Sequence, residues 1–441
     1  MNTKIPPILL RRAEELEKYY REKMPSAAPL IKQCFLNTIE TTVKQLEDGS
    51  YFVITGDIPA MWLRDSSAQL KHYIKYSKED EQLGAMIEGV IEKQAQMVLI
   101  DPYANAFNES PNGQGHKDET ALNASVWERK YEVDSLCAPL YLLYTYWKET
   151  GKKSLFTEQI RTMIRTIIRV FRIEQDHNSS DYTFRRYNCP ETDTLSNDGK
   201  GAPVAITGMT WSGFRPSDDR CVYGYLIPAN MMAVQALGYA AEICAKGYHD
   251  MELAQECEAL AGEIREGINR FGLVEHPEYG MIYAYEVDGK GNYVLMDDAN
   301  SPSLLSMPYL GYCGCEDEVY LNTRKYILSK ENPYYAEGVY AEGVGSPHTP
   351  EGFVWHIGIT MQALTSADPK EVLECVEMLT RTHAGTNYMH ESFDPDSPEV
   401  FTREWFAWAN SLFAELMDKL YREGFFEDEL CREKELEKCC S

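Results

Sequence analysis

Apolar residues recur at three- and four-residue spacing along almost the whole chain, and this restricts it to a helical fold. Glu79–Val98 carries Leu83, Met86, Ile87, Val90, Ile91 and Met97 in phase, and Met251–Phe271 carries Leu253, Cys257, Leu260, Ile264, Ile268 and Phe271. The same pattern predicts helices over Arg11–Lys23, Leu30–Leu46, Ser66–Tyr76, Leu155–Phe171, Leu304–Leu310, Glu318–Leu328, Phe353–Leu364, Pro369–Arg381 and Glu404–Tyr421. Two more have readable ends. One runs from a capping Asp134 to a stop at Gly151, and one starts with Pro228 in its first turn and reaches Lys246. Only Val274–Met296 switches to short extended pieces, a hairpin-like insert around Gly280 and Gly289–Gly291.

The helices fall mostly into adjacent pairs, with short and long loops alternating. No repeat of about 34 residues appears, which disfavours a binding solenoid. No linker marks a boundary, so residues 1–441 are expected to form one domain. Six hairpins closed on themselves make an (α/α)6 barrel, a toroid with its long loops at one end. Periodicity supplies the helices; it does not by itself supply the closure.

Charge removes several function classes. The balance of 43 basic against 69 acidic residues leaves a net charge of −26, which opposes binding to nucleic acid or to an anionic membrane. No 18-residue apolar run is present, and Met1–Leu10 lacks the features of a secretory leader, so the 12 Cys are expected reduced in a cytoplasm. Cys313 and Cys315, and the terminal Cys439–Cys440, lack zinc-site spacing. His116, His348 and His390 sit on three loops with nothing to fix them on one point. No metal and no cofactor is expected.

The chemistry therefore rests on carboxylates in long loops. Thr55–Gln69, TGDIPAMWLRDSSAQ, reads as a loop between helices and places Asp57, Trp62, Arg64 and Asp65 close together. Such a set suits a ligand with polar edges and an apolar face, as a sugar has, or else an Arg–Asp bridge at a helix start. Asp101–Lys130 is long and holds His116 and Glu128. In WSGFRPSDDR, Asp218 and Asp219 are adjacent; either suits a general acid, since neighbouring carboxylates raise each other's pKa, and either suits a turn. In YMHESFD, Glu391 suits activation of a water beside His390, or simple capping. Asn300 and Ser301 lie in DDANS, and His348 lies in a rigid Gly/Pro loop. Walker, dinucleotide and nucleophile-elbow motifs are missing. Two carboxylates and no cofactor suffice for glycoside hydrolysis.

TGDIPAMWLRDSSAQ, WSGFRPSDDR, DDANSPSLLSMPYLGY and MHESFD, in that order, resemble glycoside hydrolase family 125, and the resemblance covers nearly the whole chain. It implies an (α/α)6 barrel and a metal-independent, inverting exo-α-1,6-mannosidase acting on mannose-containing oligosaccharides such as N-glycans. It puts the acid on Asp218 and the base on Glu391, with carboxyls about 6.5–9.5 Å apart to admit a water. Asp57, Arg64, Asp65, His116, Glu128, Asn300, Ser301 and His348 are then expected to bind sugar hydroxyls, while Trp62 and Arg215 shape the pocket or hold the next sugar. A barrel hydrolase for another sugar, or a non-catalytic sugar-binding protein on the same scaffold, is the alternative.

Overall fold

The computed structural model describes residues 4–427; the Cys439–Cys440 tail lies outside them. Among the described residues are twelve helices of nine residues or more: α1 Pro7–Lys23, α2 Ala28–Thr41, α3 Leu63–Lys71, α4 Glu81–Ile100, α5 Val133–Thr150, α6 Glu158–Glu174, α7 Ile227–Ile243, α8 Met251–Phe271, α9 Glu318–Ile327, α10 His356–Leu364, α11 Pro369–Arg381 and α12 Ala407–Arg422. Local chemistry fixes many ends. Asp80, Thr157 and Asp250 each cap a first turn by accepting a backbone N–H, and Gly151 stops α5 at φ 71°.

Packing arranges these helices in two layers. In the inner one α3 packs on α5, α5 on α7, α10 on α12 and α12 back on α3. Between α7 and α10 the ring is completed without a helix. The segment 303–312 fills the place, and its Leu310 carbonyl accepts a 2.9 Å hydrogen bond from Tyr141 of α5 while the Gly311 carbonyl accepts one from Gln235 of α7. Helices α4, α8 and α11 back this ring, with α2 against α12 and α6 against α4 and α8. All six inner elements line one narrow cavity of about 60 Å³ on the ring axis, through Ala68, Leu142, Met232, Tyr309, Met361 and Leu412. The toroid is closed, as the (α/α)6 expectation requires.

Four local expectations are corrected. Leu304–Leu310 is a run of turns, with a proline at 308 that withholds a backbone donor from a helix. The predicted helix Leu30–Leu46 ends at Thr41, and Val43–Gln45 instead pairs antiparallel with Tyr51–Val53. The opening loop stops at Ala60, so Arg64 and Asp65 stand on the first turn of α3. Asp134 does not cap α5; Glu132 holds that position in extended conformation and Asp134 turns toward Arg64. The extended insert is present, Leu273–His276 pairing with Gly280–Tyr283. No helix among the described residues is long and apolar enough to cross a membrane.

Candidate active site

Three inner helices are reached directly from a two-residue strand: Met61–Trp62 runs into α3, Tyr225–Leu226 into α7 and Val354–Trp355 into α10. These strands are pinned by neighbours, Met61–Trp62 by Ala106–Phe107 and Trp355 by Ser392. The inner helices therefore begin at one end of the ring, and there a pocket of about 300 Å³ opens. Its wall includes Trp62, Arg64 and Asp65 at the start of α3, Trp355 before α10, and Phe406 and Trp408 at the start of α12. Asn300, His348 and Arg403 face it as well, with the two carboxylates Asp218 and Glu391.

Asp218 is presented by a tight hairpin. Arg215 N–H donates to Asp219 O at 2.7 Å, and Asp218 N–H donates to Arg215 O at 2.9 Å. Pro216 suits the second position of such a turn, and Asp218 follows it at φ 69°. That left-handed backbone is one an Asp or Asn tolerates better than most side chains. Lys130 Nζ holds the Asp218 carbonyl at 2.7 Å, and Asn105 Nδ2 donates to Asp218 Oδ1 at 3.0 Å. Asp219, by contrast, is 2% exposed and turns to His348, whose Nδ1 lies 3.1 Å from Asp219 Oδ1. Of the adjacent pair, Asp218 is the one on the pocket wall.

Beneath the pocket, one guanidinium faces three carboxylates. Arg64 Nη1 lies 2.7 Å from Glu132 and 3.1 Å from Asp134, while Nη2 lies 3.3 Å from Asp65. All four side chains are buried. Burial pushes the carboxyls of Asp65, Glu132 and Asp134 up, and Arg64 offsets this only in part. Asp218 behaves differently. Burial alone would raise it, but Lys130, Arg64, a hydrogen bond with Glu132 and the charge on His348 hold it below the usual carboxylate range.

Glu391 lines the same pocket. Its Oε2 accepts from Thr402 Oγ1 at 2.9 Å, and Arg403 Nη1 lies 3.6 Å from Oε1. Arg403 also brackets Asp57, with Nε 3.1 Å from both carboxylate oxygens. Arg403 was not expected from sequence, and neither were Asn105, Glu132, Phe406 or Trp408. Nothing in FTREW or EVDS announces a pocket; a basic residue between a strand and a helix is ordinary, and an acid before an apolar helix reads as a cap.

The other expected residues are dispersed. Asp57 lies at the rim, 40% exposed in its side chain, and holds Arg403 rather than lining the wall. Glu128 is locked under the pocket by Arg186 at 2.7 Å and Asn105 at 3.0 Å. His116 is exposed, with Nε2 3.8 Å from Glu128. Arg215 is buried in an ion pair with Glu286 at 2.6 Å, behind the hairpin. Asn300 lines the pocket, but Ser301 lines the axial cavity below it. His390 is buried and stacked on Phe401, so His116, His348 and His390 occupy three separate settings. Among the described residues no group of three or more His, Cys, Asp or Glu is placed to hold a metal ion.

Comparison with known proteins gives this geometry a family. Residues 25–418 match the family described as metal-independent alpha-mannosidase, GH125. The Meiotically up-regulated gene 157 protein of Schizosaccharomyces pombe is 43% identical over 415 residues, covering 88% of this chain and 81% of that protein. A metal-independent alpha mannosidase from Streptococcus pneumoniae, solved as a non-productive complex with alpha-1,6-mannobiose, is 46% identical. It superposes with a TM-score of 0.93, covering 97% of this chain and 100% of that one. A bacterial glucoamylase solved with acarbose shares the fold alone, at 13% identity and a TM-score of 0.58 over 93% of this chain and 56% of that one. The chain belongs to glycoside hydrolase family GH125, the metal-independent alpha-mannosidases.

Proposed function

We propose that this protein removes terminal α-1,6-linked mannose from oligosaccharides such as N-glycans, by single displacement with inversion. The observation that carries this reading is that Asp218 and Glu391, from two separate loops, face one pocket. Asp218 gives a proton to the glycosidic oxygen as the bond to C1 breaks. Glu391 takes a proton from a water that attacks C1 from the other face, and the released mannose is the β-anomer.

A pocket of about 300 Å³ stands at the small end of ligand sites, about 300–1,000 Å³, which suits one terminal sugar. Arg64 and Trp408 border both this pocket and the narrow axial cavity, so the sugar stops on them. Asp65, Arg64, Asn300 and His348 supply donors and acceptors for its hydroxyls, and Trp62, Trp355 and Phe406 supply apolar faces. Asp57 acts through Arg403, and Glu128 through Asn105. The α-1,6 linkage is carried over from the Streptococcus pneumoniae relative and its bound mannobiose. Residues 1–441 serve as one catalytic domain. A reducing cytoplasm suits the nine free thiols of the described residues.

The test is hydrolysis of α-1,6-mannobiose followed by proton NMR. β-Mannose is expected first, with α-mannose growing in later by mutarotation. An initial α-anomer excludes inversion, and no release at all excludes the activity.

A further inference from the structure

A general acid needs a proton at neutral pH, and the groups around Asp218 bear on where it is kept. Asn105 Nδ2 lies 3.0 Å from Asp218 Oδ1 and 3.4 Å from Glu132 Oε1, so the two carboxyls meet at one amide, and their shifts are those of a pair that hydrogen-bonds. Two carboxylates cannot hydrogen-bond to each other unless one carries a proton, and two charges at that separation, out of water, strongly disfavour joint ionisation. The donors around the pair are arranged unequally. Glu132 Oε2 accepts from Arg64 at 2.7 Å and from Ser135 Oγ at 2.8 Å, which leaves Oε1 for Asp218, with only a 3.4 Å contact from Asn105. Asn105 Nδ2 meets both members of the pair, 3.0 Å from Asp218 Oδ1, and lies 3.0 Å from Glu128 Oε2 as well. The remaining charged groups that bear on the pair include Asp65, Glu128, Asp134, Lys130 and His348.

We propose that Glu132 is a positioning residue that keeps, in a hydrogen-bonded carboxyl pair, the single proton that Asp218 delivers to the leaving oxygen. This rests on the assignment of Asp218 above. In the empty pocket the proton sits on Glu132, the more deeply buried partner, in accord with the opposite directions in which the two carboxyls are pushed. When the sugar fills the pocket the proton passes to Asp218, and Glu132 is left as a carboxylate held by Arg64 and Ser135. Bond cleavage then moves the proton to the glycosidic oxygen. The attacking water gives one proton to Glu391, which releases it to solvent after mannose leaves, and the pair takes one back from solvent. One proton is consumed and one returned per turnover.

The decisive variant is Glu132→Gln, which keeps the shape and the contact with Arg64 but holds no transferable proton. On α-1,6-mannobiose kcat is expected to fall about 10²-fold or more. On α-mannosyl fluoride, whose leaving group needs little protonation, the fall is expected to be several-fold at most. The alkaline limb of kcat/KM should move down by about one pH unit, because Asp218 loses its anionic neighbour. Glu132→Asp, which returns a carboxyl, should bring the limb back. Equal losses on both substrates with an unmoved limb would make Glu132 merely structural and overturn the proposal. Should the Gln variant fail to fold, the wild type decides. A shared proton puts its alkaline limb well above the ordinary Asp value of about 3.9, and a limb at that value overturns the pair. If the wild type releases mannose from neither substrate, the functional reading itself fails, an outcome distinct from any of these.

Discussion

His348 Nδ1 lies 3.1 Å from Asp219 Oδ1, a contact between loops 129 residues apart that fixes one side of the pocket wall. Burial works against a charge on His348, but the hydrogen bond and charge of Asp219, reinforced by Glu391 and Asp218, raise it from 6.5 to about 9. A histidine raised on folding adds stability that is fully present below its unfolded value and is lost as pH climbs through the folded one. The melting temperature of the wild type should therefore exceed that of His348→Gln most below about pH 6.5, with the gap closing toward about pH 9. A gap that is flat with pH would mean that the contact carries no charge.

Asp218→Asn tests the acid with the fold preserved, since Asn is among the few residues that accept the left-handed backbone at this position. Turnover of α-1,6-mannobiose should fall by about 10²–10⁴ while ligand binding, read by calorimetry, stays within a few-fold. Near-normal turnover would move the acid elsewhere, with Asp219 the first candidate.

Glu391→Ala removes the base and leaves room where its carboxylate stood. Azide needs no deprotonation and attacks the same face, so it should restore turnover and give β-mannosyl azide. An α-azide, or rescue in Asp218→Ala but not in Glu391→Ala, would exchange or discard the assigned roles.

Arg403→Lys keeps the charge but not the fork that joins Asp57 to Glu391. A misplaced base should cost about tenfold or more in kcat, with a smaller change in KM and little change in melting temperature. If kcat is unchanged, Glu391 is oriented by Thr402 alone.

Some helices with strong apolar phase were legible to the residue, while Glu81–Ile100 and Glu158–Glu174 lie two or three residues beyond the expected Glu79–Val98 and Leu155–Phe171. Met251–Phe271 and Pro369–Arg381 are observed with their predicted bounds, and Gly151 ends α5 as expected. The failures share a cause, which is that the deciding partner is distant in sequence. Val43–Gln45 continues the apolar phase of α2 but finds Tyr51–Val53 to pair with. Segment 303–312 has a helical pattern, yet it fills the ring through carbonyls that accept from Tyr141 and Gln235. The pocket was legible where side chains came in dense motifs, as with Trp62, Arg64, Asp65, Asp218 and Glu391. It was illegible where one residue does the work alone. Arg403 acquires its meaning in part from Asp57, 346 residues away, and Glu132 in part from Arg64, 68 residues away.

Inner helices α3, α10 and α12 begin at the pocket wall and α5 begins at the Arg64 cluster beneath it, so each sets the positive end of its backbone dipole there, worth about half an elementary charge. A chain with a net charge of −26 nonetheless lodges Asp65, Glu132, Asp134, Asp218 and Glu391 around a single opening. The ring adds its partial charge to that of Arg64, Lys130, His348 and Arg403, which face these carboxyls. It is made of peptide groups, so no side-chain substitution can delete it, and it lies where dissolved salt screens it least. Loops at the mouth can be rewritten for a different sugar while the field that lets two acids share so small a space persists.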